Sequence, residues 1–203
     1  MVNWESNVFP GVLGRTCDRP CEPACRRTRV EDGQKKEPVA ICRLKRVAAD
    51  NKGDVNALMP TPLARNGKRI ACIGAGPASL TVARDLSVQG YDVTVFDSGK
   101  KAGGFIRTQI PKFRLPESVI DEETDLILNL GVNLKSEHEV NSLRELLAQN
   151  FDAVFIGSGA PRGRDLPLHG RSEATQYIHI GIDWLASVAF AHIDKVGKRV
   201  IVL

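Results

Sequence analysis

Two groups of residues in this sequence have the types and spacing to do chemistry. The first is a set of cysteines, Cys17, Cys21 and Cys25 at four-residue intervals, followed by Cys42 in Val39-Ala40-Ile41-Cys42-Arg43-Leu44. Thiolates so spaced converge on one iron–sulfur cluster if the backbone turns once between ligands. Four thiolates also suit a tetrahedral zinc site, and free thiols are the third reading. A disulfide framework is not indicated, because no secretory signal accompanies these cysteines.

The second group is Gly74-Ala75-Gly76-Pro77-Ala78-Ser79, with Asp97 further on. Between a strand and a helix, such a loop cradles phosphate. Gly74 permits the tight turn and Gly76 lets the backbone approach a pyrophosphate. The helix opening at Pro77, Ala78 and Ser79 supplies unpaired N–H groups and the positive end of its dipole. Ser79 replaces the third glycine of the pattern and is small enough for close helix–strand packing. Asp97 stands about 20 positions on, where an acidic partner is expected. Its carboxylate accepts ribose hydroxyls and disfavours a 2′-phosphate, which makes NADP a poor occupant of this loop.

These residues need a scaffold, and the chain supplies its pattern from Lys68 onward. Arg69–Ile73 reads as a buried strand. Leu80, Val82, Ala83 and Leu86 then recur at helical spacing up to Gly90, and Asp92–Phe96 reads as a second strand. This is a right-handed βαβ unit of the α/β class. A helix is predicted within Leu115–Leu130, a short strand at Val132–Leu134, and a helix over Ser142–Gln149 with Asn141 as its cap. A strand at Ala153–Ile156 closes on Gly157-Ser158-Gly159. Residues 161–180 are turn-rich, Trp184–Ala191 is apolar enough for a helix, and Lys198–Leu203 has the form of another strand. The run Gly197–Leu203 repeats the form of Gly67–Ile73, which suggests the opening of a second nucleotide-binding unit that is cut short.

The organisation predicted is a Cys-rich, mostly helical and loop segment at 1–47 and a linker at 48–67. A Rossmann-like domain follows at 68–170, and the truncated start of a further domain at 171–203. The 203 residues are 42% hydrophobic and 26% charged, enough apolar material for a core. No apolar run approaches the ~18 residues that span a membrane, and a cytoplasmic location is expected.

The net charge of +4 is uneven. Arg15, Arg19, Arg26, Arg27, Arg29, Lys35, Lys36, Arg43, Lys45 and Arg46 crowd the first quarter, while Glu117, Asp121, Glu122, Glu123 and Asp125 crowd a later stretch. The basic block is either a solvated surface or a face for an acidic partner. Trp4 and Trp184 are isolated, so a base-stacking surface and nucleic-acid binding are not supported. The four histidines, His138, His169, His179 and His192, form no nucleophile or metal-ligand spacing. Cys72, inside the first strand, reads as a small core residue.

Two further stretches carry a family resemblance. Lys101-Ala102-Gly103-Gly104-Phe105-Ile106-Arg107 and Ile110-Pro111-Lys112-Phe113-Arg114-Leu115-Pro116 resemble the paired-glycine and "IPxFRLP" stretch of a flavoprotein group. The group includes the small subunit of NAD(P)H-dependent glutamate synthase and the N-terminal half of dihydropyrimidine dehydrogenase. Phe151-Asp152-Ala153-Val154-Phe155-Ile156-Gly157-Ser158-Gly159-Ala160 is similar to the group's second flavin strand, with Ser158 where Thr is common. Gly14-Arg15-Thr16-Cys17 and Cys21-Glu22-Pro23-Ala24-Cys25 resemble its cluster-binding segment, and the likeness covers roughly residues 14–203.

The resemblance implies FAD at Gly74, Gly76, Pro77, Ala78, Ser79, Asp97, Gly103, Gly104, Gly159 and Ala160. It also implies that Arg107 and Arg114 fork onto phosphate oxygens and that the backbone of Val140 meets the adenine. It makes Cys17, Cys21, Cys25 and Cys42 ligands of a [4Fe–4S] cluster, or the remnant of a pair whose other cysteines lie upstream in relatives. In those relatives electrons pass from NAD(P)H through FAD to clusters, and on to a larger catalytic subunit or domain. The expected role is thus a flavin-dependent oxidoreductase module with no general acid or nucleophile of its own. The alternative is a non-catalytic FAD and cluster scaffold docking onto a larger redox partner.

Overall fold

The computed structural model describes residues 2–29 and 37–203, so Lys35 and Lys36 of the basic block lie outside the described residues. Three helices precede the sheet: α1 (Val2–Ser6), α2 (Pro10–Thr16) and α3 (Ile41–Asp50). The next elements are β1 (Arg69–Ile73), α4 (Pro77–Val88), β2 (Asp92–Phe96), α5 (Phe105–Thr108) and α6 (Glu117–Leu128). Then come β3 (Asn133–Lys135), α7 (Leu143–Leu147), β4 (Ala153–Ile156) and α8 (Gly181–Ala189).

The four strands form one parallel sheet in the order β3-β2-β1-β4. Ile70, Ala71 and Cys72 of β1 are all buried, as a strand covered on both faces requires. Arg69 stands opposite Asp92 on one side, and Ile70 opposite Ala153 on the other. Chain order therefore reverses beside β1, and a crevice opens at the C-terminal ends of β1 and β4. Ligands of open α/β sheets bind at such a switch point. The core lies between this sheet and helices α4 and α6, around Cys72, Val93, Val95, Leu80, Ala83 and Ile127. Burial pushes the Cys72 thiol up to about 11, which leaves it inert packing.

Local chemistry moves several predicted boundaries. The short helix α7 is capped by Ser142, whose Oγ accepts from the Glu145 amide at 3.2 Å, and not by Asn141. Lys198–Leu203 is not a strand: it has no ladder partner among the described residues, and Ile201 and Val202 are 86% and 90% exposed. Helix α3 runs through to Asp50, across the expected start of the linker. Asp50 is held there by Arg15 of α2 at 2.8 Å, and Ala49 is buried. Residues 51–67 are pinned along the sheet as well: the Leu63 and Asn66 amides donate to the carbonyls of Val88 and Gly90, both at 3.0 Å.

Helix α2 starts without a cap of its own. Phe9 has no side-chain acceptor and Pro10 has no N–H. The next two amides, Gly11 and Val12, donate to Glu123 Oε1 and Oε2 at 2.5 and 3.1 Å. A carboxylate from α6 thus does across the fold what Ser or Asp does locally, and it favours the positive end of the α2 dipole.

Glu123 is only 2% exposed, and burial pushes its carboxyl up to about 7 against the pull of the two amides and Lys52. Its proton is held more tightly in the folded chain than in the unfolded one. The stability it contributes is complete below its ordinary value of 4.5 and falls as pH rises to about 7. Urea unfolding across that window is expected to lose on the order of 3 kcal/mol. Glu123→Gln is expected to flatten the slope, and an unchanged slope in that variant would remove Glu123 as its source.

Candidate functional site: a dinucleotide cradle

Three turns that are far apart in sequence meet at the crevice. Gly74 leaves β1 with φ +90°, and a Cβ there would fall 2.6 Å from the Gly157 carbonyl oxygen, at the end of β4. Gly104 has φ +51°, and a Cβ there would fall 3.0 Å from Gly76 Cα. Both conformations and both distances exclude side chains. A Cβ at Gly157 would in turn lie 2.2 Å from Ser79 Oγ, on the first turn of α4.

Over Gly76 and Gly159, by contrast, a Cβ would meet nothing within 4 Å. The open space faces the start of α4, which has no side-chain cap and carries Pro77 in its first turn. Unpaired amides, helix dipole and bare backbone together fit a diphosphate.

Asp97 closes this cradle from the tip of β2. Its Oδ2 accepts from the Ala75 amide at 2.5 Å and its Oδ1 from the Gly99 amide at 2.7 Å. Each carboxylate oxygen keeps a lone pair for a ribose hydroxyl. The sequence shows the acid but not its hold on the loop. Ala75 and Gly157 are the contributors that motif reading passes over, since their backbones, and not their side chains, make the contacts.

The paired-glycine turn lies against the phosphate loop, where the Gly103 amide donates to the Ala75 carbonyl at 2.8 Å. The two arginines are placed differently. Arg107 turns inward, 6% exposed, with Nε on the Ala102 carbonyl at 2.7 Å. Its other nitrogens reach Glu117 at 3.1 Å and Asp121 at 2.7 Å. Two carboxylates thus engage this guanidinium. Arg114 is exposed and donates to the Arg15 and Thr16 carbonyls at 3.3 and 3.5 Å, tying down the end of α2. Val140 is half-buried against a small cluster of Ala71, Phe96, Leu146 and Phe151. Ala160 is exposed beside Gly159.

The four N-terminal cysteines do not come together. Among the described residues no group of three or more Cys, His, Asp or Glu side chains gathers at metal-binding geometry. Cys42 is buried, and its thiol donates to the Leu13 and Gly14 carbonyls at 3.4 and 3.6 Å. Cys17 and Cys25 are half-buried and Cys21 is exposed. The backbone amides of Val39 and Arg27 hold the Cys25 thiol below the usual range, which favours its thiolate.

Residues 72–148 match the family described as NAD(P)-binding Rossmann-like domain, and the fold is of that α/β kind. The chain is homologous over most of its length to part of several NAD(P)H-dependent oxidoreductase subunits. It is 35% identical over 202 residues to the NADPH-Fe(3+) oxidoreductase subunit beta of Geobacter sulfurreducens, covering 96% of this chain and 29% of that one.

It is also 35% identical over 186 residues to the NAD-dependent dihydropyrimidine dehydrogenase subunit PreT of Escherichia coli, covering 89% of this chain and 43% of the relative. With the glutamate synthase [NADPH] small chain of Bacillus subtilis it shares 30% over 194 residues, covering 94% and 38%. The chain thus spans well under half the length of these curated relatives. A solved 2-naphthoyl-CoA reductase shares the fold, with a TM-score of 0.54 at 20% identity over 68% of this chain and 20% of that one. Among the described residues no helix is long and apolar enough to cross a membrane.

The contact between Ser79 and Gly157 gives a direct check of the cradle. Gly157→Ala is expected to destabilise the chain, because the new methyl meets Ser79 Oγ and the Phe155 ring. Ser79→Ala removes the first of these atoms and should restore part of the loss. A double-mutant cycle by urea unfolding is expected to give a coupling of about 1 kcal/mol or more. Additive effects would mean that the two turns do not touch.

Proposed function

We propose that the chain is the FAD-binding portion of an NAD(P)H-dependent oxidoreductase, with the flavin's diphosphate over Gly76 and the start of α4. The observation that carries this reading is the convergence of three glycine turns on an uncapped helix N-terminus, with Asp97 at the neighbouring strand tip. The fit of the relatives is a second support, because their names, an oxidoreductase subunit, a dehydrogenase subunit and a synthase small chain, each include a nicotinamide nucleotide. Bound FAD supplies the chemistry of accepting an electron pair from a reduced nicotinamide and releasing electrons singly.

The chain's own residues bind and orient. The amides of Ala78 and Ser79, at the uncapped start of α4, would hold the diphosphate, for which Gly76 and Gly159 leave room. Asp97 receives the adenosine ribose and, being already negative and already bound to two amides, rejects a 2′-phosphate. The electron acceptor is a larger catalytic subunit or domain.

The cysteine pattern alone suggests a [4Fe–4S] cluster as relay. Cys17, Cys21 and Cys25 fall within nine residues, of which 20–24 form a turn. Cys42 would have to leave its packed place beside α2. The cysteines as folded do not fit a cluster.

Nucleotide preference tests the cradle. In a calorimetric titration FAD is expected to bind at least tenfold more tightly than NADP+. Asp97→Asn is expected to narrow that gap by about tenfold, as a charge-assisted contact to ribose is lost and a repulsion to phosphate is relieved. Equal binding of the two nucleotides by the unaltered chain would overturn the assignment of this loop to FAD.

A further inference from the structure

We infer that Arg107 is a positioning residue of the cradle, setting the approach of Gly104 to Gly76 through the Ala102 carbonyl without itself touching the nucleotide. The inference rests on the FAD reading and adds to it the device that holds the second turn in place.

The turn Ala102–Gly104 is gripped from two sides. On one, the Gly103 amide donates to the Ala75 carbonyl of the phosphate loop at 2.8 Å. On the other, Arg107 Nε donates to the Ala102 carbonyl at 2.7 Å. The arginine also fills the space under the turn, since a Cβ at Gly103 would fall 3.2 Å from both its Cβ and its Nε. Helix α5, which carries Arg107, has only four residues and cannot fix its own orientation by helical cooperativity.

The orientation comes from α6. Glu117 and Asp121, one turn apart on that helix, take the two outer nitrogens of the guanidinium. Lys101 reaches the same two carboxylates at 3.0 and 3.6 Å, and Lys112 reaches Glu117 at 3.6 Å. The chain of contacts therefore runs from α6 through Arg107 and Ala102 to Gly104, which stands against Gly76. A planar fork is needed, because one ammonium cannot serve a carbonyl and two carboxylates in fixed directions at once. A direct phosphate ligand, by contrast, would be exposed to the crevice and free of carboxylates.

The test compares the unaltered chain with Arg107→Lys and Asp121→Asn, using fluorescence titration with FAD at 10 °C. Far-UV circular dichroism checks folding, and visible circular dichroism of the saturated complexes reports the setting of the flavin. Arg107→Lys is expected to bind FAD about tenfold more weakly, the loss of one charge-assisted hydrogen bond. Asp121→Asn, which lies outside the cradle, is expected to weaken binding in the same direction. In both variants the visible dichroism should change.

If Arg107→Lys fails to fold, the Asp121→Asn result decides. Unchanged affinity in Asp121→Asn overturns the inference. So does an unchanged dichroic signal in a variant whose affinity has fallen, because that pattern belongs to a direct phosphate contact. Absence of FAD binding by the unaltered chain is a different failure, which removes the FAD reading itself.

Discussion

The site depends on backbone meeting backbone at the C-terminal end of the sheet. Gly74 sits against the Gly157 carbonyl and Gly104 against Gly76 Cα, each at a distance that a side chain would forbid. These approaches let turns after β1, β2 and β4 share one crevice, and they exist because strand order reverses beside β1. Around the phosphate position the polar groups are then supplied by main chain: the uncapped amides of α4, the Ala75 carbonyl and the Ala75 amide. Asp97 and Arg107 act as fasteners from opposite sides of this bare backbone. One holds the phosphate loop and the other the paired-glycine turn.

The N-terminal segment is joined to this domain by charge as much as by apolar packing. Phe9 and Val12 enter the main core, but the direction of α2 is set by the buried Glu123 and by Arg114 at its far end. A buried carboxylate whose affinity for a proton has risen makes that junction responsive to pH near neutrality.

Much of the fold was legible because it rests on period and punctuation. Arg69–Ile73, Asp92–Phe96 and Ala153–Ile156 are strands with the expected bounds, since short apolar runs closed by glycine or aspartate leave little latitude. The positions of the cradle's glycines and Asp97 beyond the strand ends were legible for the same reason. The two arginines were not: type and proximity to paired glycines suggest phosphate, whereas their partners are set by where α6 and α2 pack. The acidic crowd on α6 held the missing signal, with Glu117 and Asp121 four apart and thus on one face. Lys198–Leu203 has strand-like composition, yet a strand also needs a neighbour, and none is paired with it among the described residues.

The measurement that tests the central claim most directly is the visible spectrum of the purified chain after anaerobic loading with FAD and desalting. Retained flavin bands that bleach on dithionite, at about one flavin per chain, are the expected result. A colourless chain with its far-UV signal intact would contradict it, because the fold would then be present with a cradle that holds no flavin.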